Sequence, residues 1–567
     1  MLRRRLRFDR RGGALQPSEH RPPAPETSSL RLPGYAEWLL DTPSIVIVCL
    51  AVALALRVIS PVAAITSDEG YWMQRTVRFG AALERGDFPS TYRSGHPGVT
   101  VMWVGLLGID RADLQRFLPV RFTNHVTLES SPGYLDMLAQ ARFAIAVATG
   151  LLATCIVWLS WRLLGAGPGL LGGILMVLDP FALGISRLLH VDALLAPLLI
   201  ASALSALVFW TRDGHPVYLI LSAVTGGLAI LTKAPAIFLI GYVGLVALVS
   251  AARSPNRRAL LAFAVGWGVL LVAVYVTLWP AMWSEPLQRI GQVIDFTAKQ
   301  GGSPHNWSNF FLGAPTSGDP GPLYYPVALL YRLSPIVLLG VLLLPLALRR
   351  RVPARAPVLG LLAFAVLFAG MMTLGAKKFD RYLLPTILVL DLLAGVGLWA
   401  LLRTIRSRHV ALGALAGLLV VQAALMWKAF PFPEAFYNPL LGGAHGAQQA
   451  IMVGWGEGLE QTARYLNAQP NADRLTVSTH YHHVLRPLFR GTTVRIVAPV
   501  RLDYFVVYVN MVQRPNLIPA TVRQVMETTP PDFTAMVGDV EYAWVYRIPS
   551  RIETIDVPGS IDEGDEE

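Results

Sequence analysis

The chain has 567 residues, of which 53% are hydrophobic and only 15% charged, and its mean hydropathy is +0.48. Soluble chains carry about 25% charged residues, so this balance excludes an ordinary soluble protein and points to lipid as the solvent. The net charge of +11 does not indicate nucleic acid, because the arginines fall in short clusters between apolar runs, as they do in cytoplasmic loops.

From Met1 to Asp41 the chain is polar and rich in Arg and Pro, so residues 1–43 read as a disordered cytoplasmic tail. The run Ser44–Ile65 exceeds the about 7–15 apolar residues of a secretory signal and reads as an uncleaved first span. Apolar runs of about 20 residues then predict further membrane helices. They lie at Ala141–Leu164, Gly169–Ile185, Val191–Trp210, Val217–Leu231, Ala236–Ser250 and Leu260–Trp279. The last are Tyr324–Leu348, Val358–Leu374, Tyr382–Leu402 and Val410–Trp427. The total is about eleven, and Val217–Leu231 and Ala236–Ser250 are the shortest relative to a ~30 Å core. The cysteines, Cys49 and Cys155, both sit in apolar runs, which excludes a zinc knuckle, a CxxC redox pair and a disulfide framework.

Charge bias fixes the orientation. With Arg3, Arg4, Arg5, Arg7, Arg10 and Arg11 inside, alternate loops carry Arg162, Arg212, then Arg253, Arg257 and Arg258. The later ones carry Arg349, Arg350, Arg351 and Arg355, then Arg403, Arg406 and Arg408. The outer segments are then the loop 66–140, the turn Arg187–Asp192, the turn Thr232–Pro235, the loop Pro280–Pro322, the link Lys377–Arg381 and everything after the last span. In the first loop, Val99–Ile109 is apolar but too short to span, and it predicts an interfacial or re-entrant helix. Helix-like Gly458–Asn467 and Ala520–Glu527 alternate with strand-like Leu475–Ser478, Val494–Val497, Phe505–Val509 and Tyr542–Arg547. This predicts a small extracytoplasmic α/β domain over 430–550, after a membrane domain over 44–429 and before an acidic tail over 551–567.

Several outer clusters could carry chemistry. Asp68-Glu69 follows the first span; the pair can accept a proton from a hydroxyl or coordinate a hard cation, or Asp68 can simply cap a helix. His190 and Asp192 sit at a helix end, where ionisable groups mark either the interface or a cavity. Lys233 lies between apolar helices on the side where charge bias calls for no cation, although a lone Lys can snorkel. Lys377, Lys378 and Arg381 crowd one outer link next to Tyr382, which suits a phosphate or anionic headgroups. Arg142 near the start of the second predicted span either positions a phosphate or anchors the helix. His96 and His305 are lesser candidates, His480-Tyr481-His482-His483 reads as a polar loop before a metal site, and Asn306-Trp307-Ser308 is a short sequon. No Walker A loop, strand-linked GxGxxG, HExxH or GxSxG is present, so ATP-driven transport and serine or zinc hydrolysis lack support.

Taken in order, these residues resemble the GT-C membrane glycosyltransferases of family 39, which includes the protein O-mannosyltransferases; the lipid A aminoarabinose transferases are similar. The resemblance rests on Asp68-Glu69, Arg142, His190-Val191-Asp192-Ala193-Leu194-Leu195, Gly227 through Pro235, and Lys377/Lys378 to Arg381-Tyr382-Leu383-Leu384-Pro385. It covers roughly Ser44 to Leu402 on matching topology. Beyond Phe430 the chain departs from the β-trefoil inserts of eukaryotic O-mannosyltransferases.

The resemblance implies a polyprenyl-phosphate-sugar donor and inverting transfer to an acceptor hydroxyl on a glycan, lipid or protein. It implies Asp68 as base assisted by Glu69, and Arg142, Lys233, Lys377, Lys378 and Arg381 as ligands of the donor phosphate. His96, His190, Asp192 and Tyr382 are the candidates for further substrate contacts. A divalent cation on Asp68 and Glu69 is an alternative use of the acidic pair. The rival function is a flippase or transporter of lipid-linked sugars, against which stands the lack of paired repeats.

Overall fold

The protein is described from a computed structural model that covers residues 42–59, 64–117, 128–304, 308–350, 355–495, 500–548 and 551–552. The Arg-rich tail up to Asp41, His305, Asn306-Trp307 of the sequon, Arg351, the end of the strand expected at Val494–Val497 and the acidic terminus lie outside the described residues. Contacts divide the chain into Met1–Ile45 and Val46–Glu567, and the architecture below is that of the second unit.

Among the described residues seven helices are long and apolar enough to cross a membrane. They are Tyr134–Leu164, Val191–Arg212, Ala234–Ala252, Arg257–Leu278, Arg355–Leu374, Asp380–Leu402 and Arg408–Ala429. In hydrocarbon the backbone must satisfy its own polar groups, and a helix does so without a partner. The chain is therefore a polytopic helical membrane protein. Burial ranks the helices: the most apolar windows of Val191–Arg212 and Asp380–Leu402 are 94% and 89% buried, whereas those of Arg257–Leu278 and Arg408–Ala429 are 11% buried. The first two form the centre and the last two expose apolar side chains to lipid. Small residues permit the central approach, because a Cβ on Gly395 would lie 2.2 Å from the Gly172 backbone.

Local chemistry breaks several predicted spans. Tyr324–Leu348 becomes Tyr324–Arg332 and Pro335–Arg350, bent by 117°. Ser334 caps the second piece by accepting from the Val337 N–H at 3.2 Å, with Pro335 in its first turn. Gly169–Ile185 becomes Ala166–Val177 and Pro180–Ile185, because Asp179 accepts from the Ala182 N–H at 2.7 Å and Pro180 starts a new helix. Pro216–Thr232 ends at Lys233, whose extended backbone (φ −159°, ψ 138°) precedes the Pro235 turn. The second span begins at Tyr134 rather than Ala141, so Arg142 lies just over two turns inside the helix.

The segment after the first helix (Thr42–Val58) folds over the ends of the bundle through helices Glu69–Glu84 and Val99–Gly108. Gly98, at φ +61°, donates its N–H to the Thr232 carbonyl at 3.0 Å, and the Thr100 and Thr232 hydroxyls share a short hydrogen bond. Val99–Gly108 is the apolar helix expected there, and it packs on Tyr134–Leu164.

The strands are β1 (Asn309–Phe311), β2 (Ala314–Thr316), β3 (Thr476–Ser478), β4 (Thr492–Val494), β5 (Val500–Arg501), β6 (Tyr504–Tyr508), β7 (Phe533–Val537), β8 (Val540–Arg547) and β9 (Arg551–Ile552). One five-stranded sheet has the order β4-β3-β6-β8-β7, with β3 parallel to β4 and β6 and the remaining pairs antiparallel. All five residues of β6 are buried, as a central strand covered on both faces requires. With helices Leu459–Asn467 and Ala520–Thr528 this is the small α/β assembly expected near the C-terminus. It meets the bundle through specific contacts. The Ser67 N–H donates to the Trp455 carbonyl at 3.2 Å, Arg486 pairs with Glu129 at 2.9 Å, and a Cβ on Gly456 would lie 2.1 Å from the Ile65 carbonyl oxygen.

Candidate functional site

A cavity of about 380 Å³ opens between these helix ends and the sheet. Asp68, His96, His190, Lys233, Lys377, Arg381 and Tyr382, all singled out from sequence, line it. Residues up to 313 positions apart thus meet at one place.

Asp68 is the residue before helix Glu69–Glu84, but its side chain makes no cap hydrogen bond. Its Oδ2 lies 3.3 Å from His190 Nε2 and 3.3 Å from an Arg381 terminal nitrogen, and 33% of the side chain stays exposed to the cavity. His190 Nδ1 accepts from the Asp192 N–H at 3.2 Å, which fixes the proton on Nε2, where it is donated to Asp68. Burial pushes the Asp68 carboxyl up, but the His190 hydrogen bond and the charges of Arg381 and Lys377 outweigh it and hold the group below the usual carboxylate range. Asp68 is accordingly an anion at neutral pH.

Asp192 stands one layer behind the cavity wall, 2% exposed. It accepts from Lys233 Nζ at 2.8 Å and lies 3.6 Å from Arg381 Nε. Lys233 Nζ also sits 4.2 Å from the centre of the Tyr382 ring, and the Arg381 guanidinium lies 4.3 Å from both the Phe379 and Trp455 rings. These contacts fix the direction of both cations with one carboxylate between them. Lys377 donates to Gln300 at 2.9 Å from the opposite wall. His96 packs edge-on against Phe296 at 4.8 Å, and its Nδ1 has no partner among the described residues. Burial, with the charges of Lys233, Arg75 and Lys377, pushes its imidazole well down, so His96 enters the cavity neutral.

Four expected site residues do not reach the cavity: Asp192, which stands behind its wall, and Glu69, Arg142 and Lys378. Glu69 is 0% exposed and Arg142 3%. Arg142 Nε donates to Glu69 Oε1 at 2.6 Å, one terminal nitrogen pairs with Oε2, and the same nitrogen bonds the Ala64 carbonyl at 2.7 Å. The Glu69 oxygens also accept from Thr66 N–H at 2.9 Å and Leu189 N–H at 3.0 Å. A carboxylate so saturated has no lone pair to offer a substrate, and the pair clamps the Asp68 segment to the His190 turn. Lys378 is 0% exposed and is held by Asp319 and the Gly375 carbonyl.

The same saturation bears on a metal. Both Glu69 oxygens are spent on Arg142 and backbone N–H groups, so Asp68 and Glu69 do not fit a shared divalent cation. Among the described residues no group of three or more His, Cys, Asp or Glu side chains is arranged to hold one.

Some lining residues were not singled out as site residues from the sequence. Trp455, Glu457, the 479–483 loop, Arg495 and Arg514 come from the C-terminal region, and Arg332, Asp380, Glu434 and Tyr437 from the bundle rim. The sequence signal was the density of His and Tyr in 480–483, which read as a polar loop. Glu434 is buried, and burial together with the Glu457 charge pushes its carboxyl up to about 7. Such a group adds stability that is fully present below the unfolded value near 4.5 and lost as pH rises through about 7. Glu434→Gln is expected to flatten the fall in melting temperature between pH 4.5 and 8; a slope identical to wild type would rule out this assignment.

Residues 136–283 match the model of the family described as dolichyl-phosphate-mannose-protein mannosyltransferase. That stretch runs from before Arg142 to beyond the Lys233 turn, and over it the resemblance read from the residues is borne out. No curated protein matches the chain. Among solved structures the chain is similar to ArnT from Cupriavidus metallidurans bound to undecaprenyl phosphate, with 15% identity, 89% of this chain and 98% of that chain covered, and a TM-score of 0.48. It is also similar to the oligosaccharyltransferase AglB from Archaeoglobus fulgidus in complex with an inhibitory peptide and a dolichol-phosphate, with 13% identity, coverage of 84% and 70%, and a TM-score of 0.45. A third is the S. cerevisiae protein O-mannosyltransferase Pmt1-Pmt2 complex bound to its sugar donor, with 13% identity, coverage of 53% and 42%, and a TM-score of 0.33.

Proposed function

We propose that the protein is a membrane glycosyltransferase that moves a sugar from a polyprenyl-phosphate donor to an acceptor hydroxyl at the outer face of the membrane. The observation that carries this reading is one cavity at the ends of membrane helices in which a partly exposed carboxylate, Asp68, faces Lys233, Lys377 and Arg381. A lipid-linked phosphate needs cations at the membrane edge, and a sugar-accepting hydroxyl needs a base. The match over 136–283 to a family named for a dolichyl-phosphate-mannose donor supports the same reading, as does the charge bias that assigns these helix ends to the outer side.

In this reading the acceptor hydroxyl gives its proton to the Asp68 carboxylate as its oxygen bonds the anomeric carbon. The bond from that carbon to the phosphate oxygen breaks with inversion, and the electron pair leaves on the phosphate. Lys233, Lys377 and Arg381 stabilise the charge that builds there, preoriented by Asp192, Gln300 and the aromatic faces. His190 holds Asp68 in place, and Glu69 and Arg142 act as positioning residues. His96 and Tyr382 contact substrate from the wall, and the lipid tail restricts the phosphate's position.

Arg381→Met should lower kcat for transfer by about 10²–10³-fold, as removal of one preorganised donor does. Transfer of radiolabelled sugar from a polyprenyl-phosphate panel checks this, and an unchanged kcat would sink the phosphate assignment. A flippase reading gains nothing from a base facing the phosphate ligands.

A further inference from the structure

A second cavity, of about 330 Å³, shares no lining residue with the first. Its walls come from the last turn of Thr42–Val58, the end of Val99–Gly108, the early turns of Tyr134–Leu164 and Arg187. Two close approaches hold these helices together, and the one at Gly108 and Gln140 lies in the cavity wall. A Cβ on Gly150 would lie 2.7 Å from the Leu54 side chain, and one on Gly108 would lie 2.5 Å from the Gln140 carbonyl oxygen.

The lining pairs apolar surface with arginine. Arg57, Arg142 and Arg187 border the space, and no Asp or Glu lies among its described lining residues. Of the nearby carboxylates, Glu69 is taken by Arg142, and Glu434 acts on Arg142 and Arg187 rather than on Arg57. Arg57 is 5% exposed; a terminal nitrogen donates to the Ala53 carbonyl at 3.0 Å, while its buried Nε has no partner among the described residues. Arg187 donates to the Ile59 carbonyl, and its guanidinium lies 5.3 Å from the Phe430 ring. Capping of the first helix's carbonyls explains those bonds. It does not explain an unmatched buried guanidinium nitrogen beside open space, which costs free energy unless an anion meets it. The surface running on from the cavity is apolar as well: Phe143 in its wall is 56% exposed, and Leu151, two turns along the same helix, is 52% exposed. A free anion would find nothing to cover that surface, whereas a lipid phosphate covers both.

We propose that this cavity binds the phosphate of an anionic lipid, with Arg57 and Arg187 on the phosphate and the hydrocarbon chain along the Phe143–Leu151 face. The site is separate from the cavity around Asp68, so it stands whether or not the transferase reading holds. Arg187 belongs to the same turn as Leu189 and His190, so a bound phosphate braces the turn that orients Asp68.

The test uses the full chain carrying Phe143→Trp in phosphatidylcholine nanodiscs, with its emission read against that of the wild type. Brominated-acyl phosphatidylglycerol should quench the added emission at a low mole fraction, and brominated phosphatidylcholine should not. Arg57→Gln should raise the half-quenching mole fraction about tenfold, the scale of one charged hydrogen bond. Displacement of the brominated lipid by undecaprenyl phosphate would identify the carrier as the source, and failure to displace it would identify the phospholipid; either outcome supports the site. Equal quenching by both brominated lipids, or no effect of Arg57→Gln, overturns it. Should Arg57→Gln not fold, mass spectrometry of lipid retained by the wild type decides. Enrichment of anionic lipid over phosphatidylcholine supports the site, and bulk composition refutes it.

Discussion

Asp68→Asn is expected to lower kcat/KM for sugar transfer by about 10²–10⁴-fold, the range that loss of a positioned general base produces. That is about 2.7–5.4 kcal/mol of transition-state stabilisation at 1.36 kcal/mol per tenfold. The substitution keeps the shape and lets an amide occupy the place of the carboxylate between His190 and Arg381, each 3.3 Å from Oδ2. Binding of the donor should survive, because Lys233 and Arg381 keep Asp192 as their partner. The loss should therefore fall on kcat rather than KM. Because the neighbouring cations hold the Asp68 carboxyl below its usual range, the wild-type rate should not fall as pH drops from 7 to the ordinary carboxylate value near 4. A pH–rate profile of kcat/KM checks this sign, and an acid limb centred above pH 5 would assign the base elsewhere.

The second large effect is on stability. Arg142→Met should destabilise the fold by about 3–5 kcal/mol, because it strands the Glu69 carboxylate at 0% exposure without its cation. Glu69→Leu should cost a similar amount, since it orphans Arg142 and the N–H groups of Thr66 and Leu189. The double variant should lose less than the sum, as coupled partners do. Thermal unfolding in detergent gives all three values, and additive losses would show that the pair is not coupled. Activity should fall with either single variant through displacement of Asp68, so a conservative swap that restores the melting temperature should restore the rate.

The parts of this molecule legible from sequence are those set by local composition. Length and apolarity alone located Tyr134–Leu164, Val191–Arg212, Asp380–Leu402 and Arg408–Ala429 to within a few residues, except for the early start at Tyr134. Lys233 and Arg381 stood out because a cation on the wrong side of the charge bias requires a reason. What local pattern could not supply was pairing. Arg142 looked like a phosphate ligand because its partner, Glu69, is 73 residues away. Lys378 looked like its neighbour Lys377, yet it is spent on Asp319. The break at Asp179 turned on whether an Asp before a Pro caps a new helix inside an apolar run, which hydropathy averages away. The cavity's far wall was hidden for a related reason. Trp455 and the 479–483 loop belong to a region that reads as a separate soluble fold, and it takes long-range contacts such as Trp455–Ser67, Gly456–Ile65 and Arg486–Glu129 to bring it over the helix ends.

The most direct test of the transferase reading is to follow both products at once. Purified wild-type protein in proteoliposomes would be given radiolabelled polyprenyl-phosphate sugars with cell-envelope acceptors. Label entering the acceptor should be matched one for one by free polyprenyl phosphate. Lipid-linked sugar that crosses the bilayer intact, with no label in any acceptor, would contradict the account and establish a flippase.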